Sequence, residues 1–420
     1  MQLLCLRFLT ISILLPQILA HRGVPTLQEV LARVPGLSSF HNLLTTHFPE
    51  LEAILSAQKQ FSSFATLLAP SDDAFDRLAG SSLGPMLASN DTDTIRALLN
   101  YHTAPGNHRL SSVNESFSFF PTLLDNQTYT NVTGGQRLGF VTQGKDELII
   151  VSGGGARSKV EQTDIAFEGG ILHVTDSALV PPTPLIETAV AFNLTSFLGA
   201  VYQDESLGQL IAESNDVTLF IPHNVGMQRV GSTISSLESN DLSDVLSYHA
   251  ILGKGGPFFT SSLSNGTVFQ TLQSQNIAIQ QASNSLFVNS ARLLQTDLLI
   301  ANGVIHVIDN VLNPNNTAAE PDPAVNSQPP AIAGSSLPGG ETPFTDVVAD
   351  LIKPSLVMSS SLATTTMDGD DATDGLRSST GLASASTASA METESTNDAR
   401  SGRTLNCLGS ISSSLVLLLF

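Results

Sequence analysis

Apolar residues recur along this chain with two different periods. Leu27, Val30, Leu31 and Val34 stand three and four apart, the spacing that gathers side chains on one face of an α-helix. Leu194, Phe197, Leu198 and Val201 repeat that spacing farther on. After Pro70, Ser71 carries the side-chain oxygen needed to cap a short helix running to Leu78. Late in each half the apolar residues run together instead, at Leu148 to Val151 and Ile171 to Val174, then at Leu286 to Val288 and Val304 to Ile308. Short runs of this kind, rich in β-branched residues and cut by Gly153–Gly155, Gly169–Gly170 and Gly303, predict strands. Helices followed by a mostly antiparallel sheet predict an α+β fold.

The pattern occurs twice, in one order. Thr66-Leu67-Leu68-Ala69-Pro70 with Ser71-Asp72-Asp73-Ala74-Phe75 is matched by Thr218-Leu219-Phe220-Ile221-Pro222 with His223-Asn224. Tyr101-His102 closes one apolar stretch and Tyr248-His249 another. Gln162-Thr163-Asp164-Ile165 and Gly170-Ile171-Leu172-His173-Val174-Thr175-Asp176 are matched by Gln295-Thr296-Asp297-Leu298 and Gly303-Val304-Ile305-His306-Val307-Ile308-Asp309. The distance between partners shrinks along the chain, so the second copy has the shorter loops. Two domains follow, at about 25–182 and 183–314. They meet at Pro181-Pro182-Thr183-Pro184, a segment that neither extends a helix nor donates freely to a sheet.

From Asn315 to Asn397 the composition shifts to Pro, Ser, Thr, Ala and Gly, which predicts a disordered, O-glycosylated stalk. A more apolar stretch from Phe344 to Met358 interrupts it and suits a transient helix. The two ends read as processing signals. Arg7, an apolar run from Phe8 to Leu15, a break at Pro16, and Ile18 and Ala20 at −3 and −1 of a cleavage after Ala20 form a secretory signal peptide, residues 1–20. At the other end, Asn397-Asp398-Ala399, a polar spacer and the apolar tail Ile411–Phe420 have the layout of a GPI-attachment signal, with 398–420 removed and Asn397 carrying the lipid, Ser395 and Ser401 being the alternatives. The two cysteines, Cys5 and Cys407, both fall in segments expected to be lost, so the domains would be stable without a disulfide.

Composition sharpens this picture. Hydrophobic residues are 41% of the chain and charged residues 13%, enough apolar material for sizeable cores. The formal charge of −20 opposes nucleic acid and anionic lipid surfaces as partners. Seven Asn-x-Ser/Thr sequons, at Asn90, Asn114, Asn126, Asn131, Asn193, Asn265 and Asn315, suit a glycosylated secreted protein.

The repeated residues resemble the fasciclin (FAS1) domain family. Thr66–Phe75 looks like the family's first conserved block, and Gly170–Asp176 and Asn302–Asp309 look like its second. Tyr101-His102 and Tyr248-His249 sit where the family has its Tyr-His pair. The layout is similar to that of GPI-anchored fungal fasciclin-like surface proteins, a layout plant relatives share. The resemblance implies two tandem domains, each a β-wedge packed with several helices, acting in adhesion to an extracellular protein or to a cell-wall or matrix polysaccharide. It also implies binding candidates: Tyr101, His102, Asp164 and Ile165 in the first copy, and Tyr248, His249, Asp297 and Leu298 in the second. In animal relatives such positions contribute to integrin binding. Against that stands a structural role, since a Tyr and a His ending an apolar helix suit a hydrogen-bonded core. His173 and His306 lie in apolar runs and point the same way. His223-Asn224-Val225-Gly226 departs from the family's acidic first turn, so a distorted helix start is expected in the second copy.

Catalytic chemistry finds little support. Gly80-Ser81-Ser82-Leu83-Gly84 has nucleophile-elbow spacing, but a helical run precedes it and Pro85 follows, where the elbow needs a strand and then a helix. A hydrolase using Ser82, His102 or His173 is therefore the weakest reading. No zinc, phosphate-loop or dinucleotide motif occurs, and Asp368-Gly369-Asp370-Asp371 lacks calcium-loop spacing. Neither a cofactor nor a metal is expected. A structural wall glycoprotein without specific recognition is the main alternative to adhesion.

Overall fold

A computed structural model describes residues 23–50, 64–78, 83–84, 87, 91–110, 117–144, 147–253 and 255–352. The signal peptide, most of Gly80–Gly84, Asn90, Asn114, residues 353–397 of the stalk, the acidic run and the attachment signal lie outside these residues.

Both halves are α+β, and they share one topology. In the first, helices Leu27–Arg33, Ser38–His47, Asp72–Leu78 and Thr92–Tyr101 pack on a sheet of seven strands. The strands are β1 (Ala65–Pro70), β2 (Thr103–Pro105), β3 (Ser118–Pro121), β4 (Arg137–Gln143), β5 (Glu147–Val151), β6 (Arg157–Phe167) and β7 (Gly170–Thr175). Their order across the sheet is β2-β1-β7-β6-β5-β4-β3. In the second, β8 (Val217–Pro222), β9 (Ala250–Ile251), β10 (Val268–Gln270), β11 (Asn276–Ala282), β12 (Ser285–Val288), β13 (Ala291–Ile300) and β14 (Gly303–Ile308) take the order β9-β8-β14-β13-β12-β11-β10. Strand for strand the two sheets agree. Each has one parallel pair, β1 with β7 and β8 with β14, amid antiparallel neighbours.

The parallel pair is the centre of each domain. β1, β7, β8 and β14 are buried at every position, as strands covered on both faces must be. Their close pairing needs a residue without Cβ at one end. A Cβ on Gly170 would stand 2.0 Å from the Ala65 carbonyl oxygen, and one on Gly303 would stand 1.9 Å from that of Val217. The long strands β6 and β13 slip register twice each, around Gln162 and Gln295. Each of these strands pairs with one neighbour at its start and with the other along the rest, and the slips fall in that second part.

Local chemistry starts the helices. Thr26 and Glu29 form a reciprocal capping box on Leu27–Arg33. Ser71 accepts the Ala74 amide at 3.3 Å, as its cap position predicts. The departure at His223-Asn224 does not distort its helix. His223 Nδ1 accepts the Gly226 amide at 2.9 Å and caps Asn224–Arg229. Asn224 also reproduces a long-range contact. Asp72 accepts the Ser38 and Ser39 amides at the start of Ser38–His47, and Asn224 Oδ1 accepts the Ser196 amide at the start of Thr195–Val201. This match pairs the helices of the two copies. Thr195–Val201 corresponds to Ser38–His47, not to Leu27–Arg33, whose counterpart is a separate helix, Leu185–Ala191.

A larger correction concerns residues 315–352. The composition predicts stalk from Asn315 onwards, yet this segment runs over the second domain. Asn310 Nδ2 donates to the Gln328 and Pro329 carbonyls, Asn313 Nδ2 to Ala331, Thr233 Oγ1 to Ala333 and Ser196 Oγ to Pro343, all at 2.8–3.0 Å. Gln328 is buried, and a short helix over 345–352 sets Val348 into the domain's hydrophobic core beside Phe344 and Ile332. A low-charge, Pro-rich segment packs here because its apolar residues are few but well placed, and because polar side chains of the domain cap its open carbonyls.

Candidate functional site

The paired Tyr and His side chains fall at matching places in both domains, and both pairs are buried. Tyr101 ends Thr92–Tyr101 and donates from Oη to the carbonyl of Arg137, the first residue of β4. Tyr248 follows the helix Ser239–Ser247 and donates to the carbonyl of Asn276, the first residue of β11. In the second copy Asn289 Nδ2 also donates to Tyr248 Oη at 2.8 Å. Burial pushes both phenols up.

The histidines are held at both nitrogens. His102 Nδ1 lies 2.8 Å from the Leu98 carbonyl, and Nε2 accepts the Leu179 amide at 2.9 Å. His249 repeats this with Val245 at 2.7 Å and Leu312 at 2.9 Å. An acceptor at Nε2 and a donor at Nδ1 define one neutral tautomer. Burial pushes both imidazoles down to about 4, against the partial lift of the helix carbonyl. Each histidine carbonyl also accepts from the central strand, at Leu68 and Phe220, both at 2.9 Å. The motif therefore ties helix, central strand and closing loop together. These side chains do not reach solvent, which favours the structural role over a contact surface.

The Asp-Ile and Asp-Leu pairs sit on the register slips. Asp164 and Asp297 have φ of 58° and 60°, the left-handed region that asparagine and aspartate tolerate better than most residues. Asp164 Oδ1 accepts the Leu110 amide and Asp297 Oδ1 that of Thr260. Their own amides donate to His173 Nδ1 and His306 Nδ1, at 3.0 and 3.4 Å. The opposite nitrogens of those histidines face the His108 and Phe258 carbonyls, at 3.1 and 2.8 Å. The unit pins a loop against β7 or β14. Desolvation pushes His173 down to about 4 and lowers His306. Asp164 and Ile165 are half-buried, whereas Asp297 and Leu298 are buried, so among these four only the first pair touches solvent. His102 and His173, with both nitrogens on backbone groups, have no free position for base catalysis. Among the described residues no group of three His, Cys, Asp or Glu side chains is placed to hold a metal ion. None of the described helices is long and apolar enough to cross a membrane.

The residues missed by the sequence reading lie where the two domains join. Asp216, buried at φ 55°, accepts the Thr133 amide at 2.7 Å and the Thr133 hydroxyl. Thr130 Oγ1 and the Asn131 amide donate to the Ala301 carbonyl, at 2.9 and 2.8 Å. Gln136 Nε2 reaches the Ile300 carbonyl at 3.1 Å. Phe119 of β3 stacks on Phe259, with centroids 4.1 Å apart and an interplanar angle of 14°. No local pattern marks these positions, because each partner belongs to the other domain.

The sequons divide as well. Asn126, Asn193, Asn265 and Asn315 are exposed. Asn131 is not free: its Nδ2, the atom a glycan would occupy, donates to the Glu213 carbonyl at 2.8 Å across the joint.

Beside the joint lies an open cleft of about 550 Å³ walled by both domains, with Tyr129 on one side and Tyr202 on the other.

Comparison with known proteins agrees with the repeat. The model of the fasciclin domain matches residues 35–181 and again 192–314. A fasciclin-like arabinogalactan protein of Arthroderma benhamiae is 33% identical over 323 residues, spanning 76% of this chain and 73% of its own. A fasciclin-like arabinogalactan protein of Cercospora beticola is 27% identical over 309 residues, spanning 72% of this chain and 80% of its own. A solved FAS1 domain pair from the insect cell adhesion molecule Fasciclin I aligns with 67% of this chain and 98% of its own at 17% identity, with a TM-score of 0.32.

Proposed function

The chain belongs to the fasciclin domain family, and from that membership we propose that it is an extracellular cell-surface protein of adhesion type, presenting two joined fasciclin domains to a protein or polysaccharide of the wall or matrix. The observation that carries this reading is the tandem repeat of one fold over both matched segments. The signal-peptide and lipid-attachment patterns at the two ends support display at the membrane, and the exposed sequons support a glycoprotein. Its arabinogalactan-named relatives are consistent with heavy glycosylation. Two domains per chain, on many anchored chains, would add weak contacts into useful avidity.

Two measurements test this. Phosphoinositide-specific phospholipase should release the protein from intact cells; retention on the membrane would remove the anchor from the account. Deleting the gene should reduce attachment of cells to a surface or matrix, and unchanged attachment would sink the adhesive role. The burial of both Tyr-His pairs favours a second reading, a wall spacer acting through glycan bulk. In that case a chain with all sequons removed would fail to rescue the deletion strain, while substitutions on the bare protein surface would have no effect.

A further inference from the structure

We propose that the cleft between the two domains is a binding site for a neutral saccharide, a claim that rests on the extracellular reading above and names the ligand class for it. The first observation is where the aromatic residues fall. The chain has no tryptophan and four tyrosines. Tyr101 and Tyr248 occupy equivalent core positions and are fully buried. The remaining two, Tyr129 from the first domain and Tyr202 from the second, line the same cleft, although 73 residues separate them. Both are half-buried. Tyr202 packs on Gly208, where a Cβ would come within 2.7 Å of its ring, so the ring is seated in place. Tyr129 is held by its hydroxyl, 3.1 Å from Thr94 Oγ1. Fixed aromatic rings with a polar tip offer the apolar CH faces of a sugar a surface at little entropic cost.

The second observation is the polar lining. Gln127, Thr128 and Glu213 stand exposed at the cleft, and their side chains have no hydrogen-bond partner within the protein among the described residues. They offer an amide, a hydroxyl and a carboxylate, a mixture of donors and acceptors that suits hydroxyl groups. The lining includes no Lys, Arg or His, and the chain is strongly acidic, so a sulfated or uronic sugar would meet repulsion. The volume falls within the range of small-ligand sites, which favour the joints between domains.

The joint beside the cleft is well bonded, so the two walls stay in register. One candidate source of the sugar is an external wall or matrix polysaccharide. The other is the chain's own N-glycan at Asn126, one residue from Gln127.

Because the chain lacks tryptophan, its fluorescence is tyrosine emission, and two of its four tyrosines line the cleft. The purified full chain would be titrated with neutral hexasaccharides of β-linked glucose, β-linked galactose and α-linked mannose, with an oligogalacturonate as the charged control. The expected result is saturable quenching by at least one neutral probe, weakened about tenfold in Tyr202→Leu and several-fold in Gln127→Ala, with melting temperature unchanged in Gln127→Ala. The same titration on Asn126→Gln separates the sources: binding seen only in this variant identifies the chain's own glycan as occupant, and equal binding in both identifies an external sugar. Absence of neutral-sugar binding in both proteins, preference for the charged control, or binding indifferent to both cleft substitutions would overturn the proposal. Such failure would leave the attachment assay above untouched, so the two readings can fall separately.

Discussion

At the scale of single residues, the repeated Tyr and His side chains act through burial. A neutral imidazole that both donates and accepts inside the core must lose that arrangement on protonation. The sign follows from the shifts. In the folded chain His102, His173 and His249 are held down to about 4, while their ordinary value is 6.5. The unfolded chain therefore binds more protons between these values, and stability falls as pH drops from about 6.5 to about 4. Each fully buried imidazole contributes a term on the order of 3 kcal/mol across that window. Urea unfolding at a series of pH values should show a falling midpoint over this interval and a plateau above it. His102→Phe should lower stability at pH 7 by about 1–3 kcal/mol through the unpaired Leu179 amide, and should flatten part of the pH slope. Asn131 gives a second prediction at this scale. Glycopeptide mapping of the secreted protein should find Asn131 unoccupied while Asn126, Asn193, Asn265 and Asn315 carry glycan. A modified Asn131 in a protein with the joint intact would contradict the geometry described above.

At the scale of elements, the segment 315–352 behaves as part of the second domain. Its approach is close enough to exclude a side chain: a Cβ on Gly199 would stand 1.9 Å from the Phe344 carbonyl oxygen. Val348 is in the core, and Phe344 and Ile332 pack against it. Burying one such side chain is worth roughly 1.5–3 kcal/mol. A chain ending at residue 315 should therefore lose about 3 kcal/mol or more relative to one ending at 352, seen as a lower melting temperature. Gly199→Ala in the longer chain should reproduce much of that loss by displacing the segment, and should have little effect once the segment is gone. If both chains melt alike, the segment is not an integral part of the domain.

At the scale of the whole molecule, the two domains are coupled by buried hydrogen bonds and one aromatic stack. Asp216→Ala removes the acceptor for two Thr133 donors, and Phe119→Ala removes the stack on Phe259. The double variant should unfold in two calorimetric steps where the native chain unfolds in one, and small-angle scattering should show a larger radius of gyration. A single unchanged transition would mean that the joint contributes little coupling. The same double variant should weaken any ligand whose contacts span the cleft.

Much of this architecture was legible in the sequence because it is local. Helical spacing at Leu27–Val34, apolar runs at Ile171–Val174 and Val304–Ile308, and the ordered pairs of blocks specify element type, chain order and duplication through short-range sterics and periodicity. The same information left the roles of particular side chains open. Tyr101 reads equally as a contact residue or a core residue until β4 is placed against it. Asp164 reads as a ligand-binding acid until the register slip puts its carboxylate on Leu110. Thr133 with Asp216, and Ser196 with Pro343, carry no pattern at all, because their partners are 83 and 147 residues away. Composition marked residues 315–352 as stalk because it averages over a window, whereas packing depends on a few apolar residues meeting a surface of matching shape. Sequence alone thus determined the repeated fold and its order. Tertiary structure decided which of its marked residues face inward, how the two copies join and where a cleft opens between them, since each depends on contacts that only the folded chain creates.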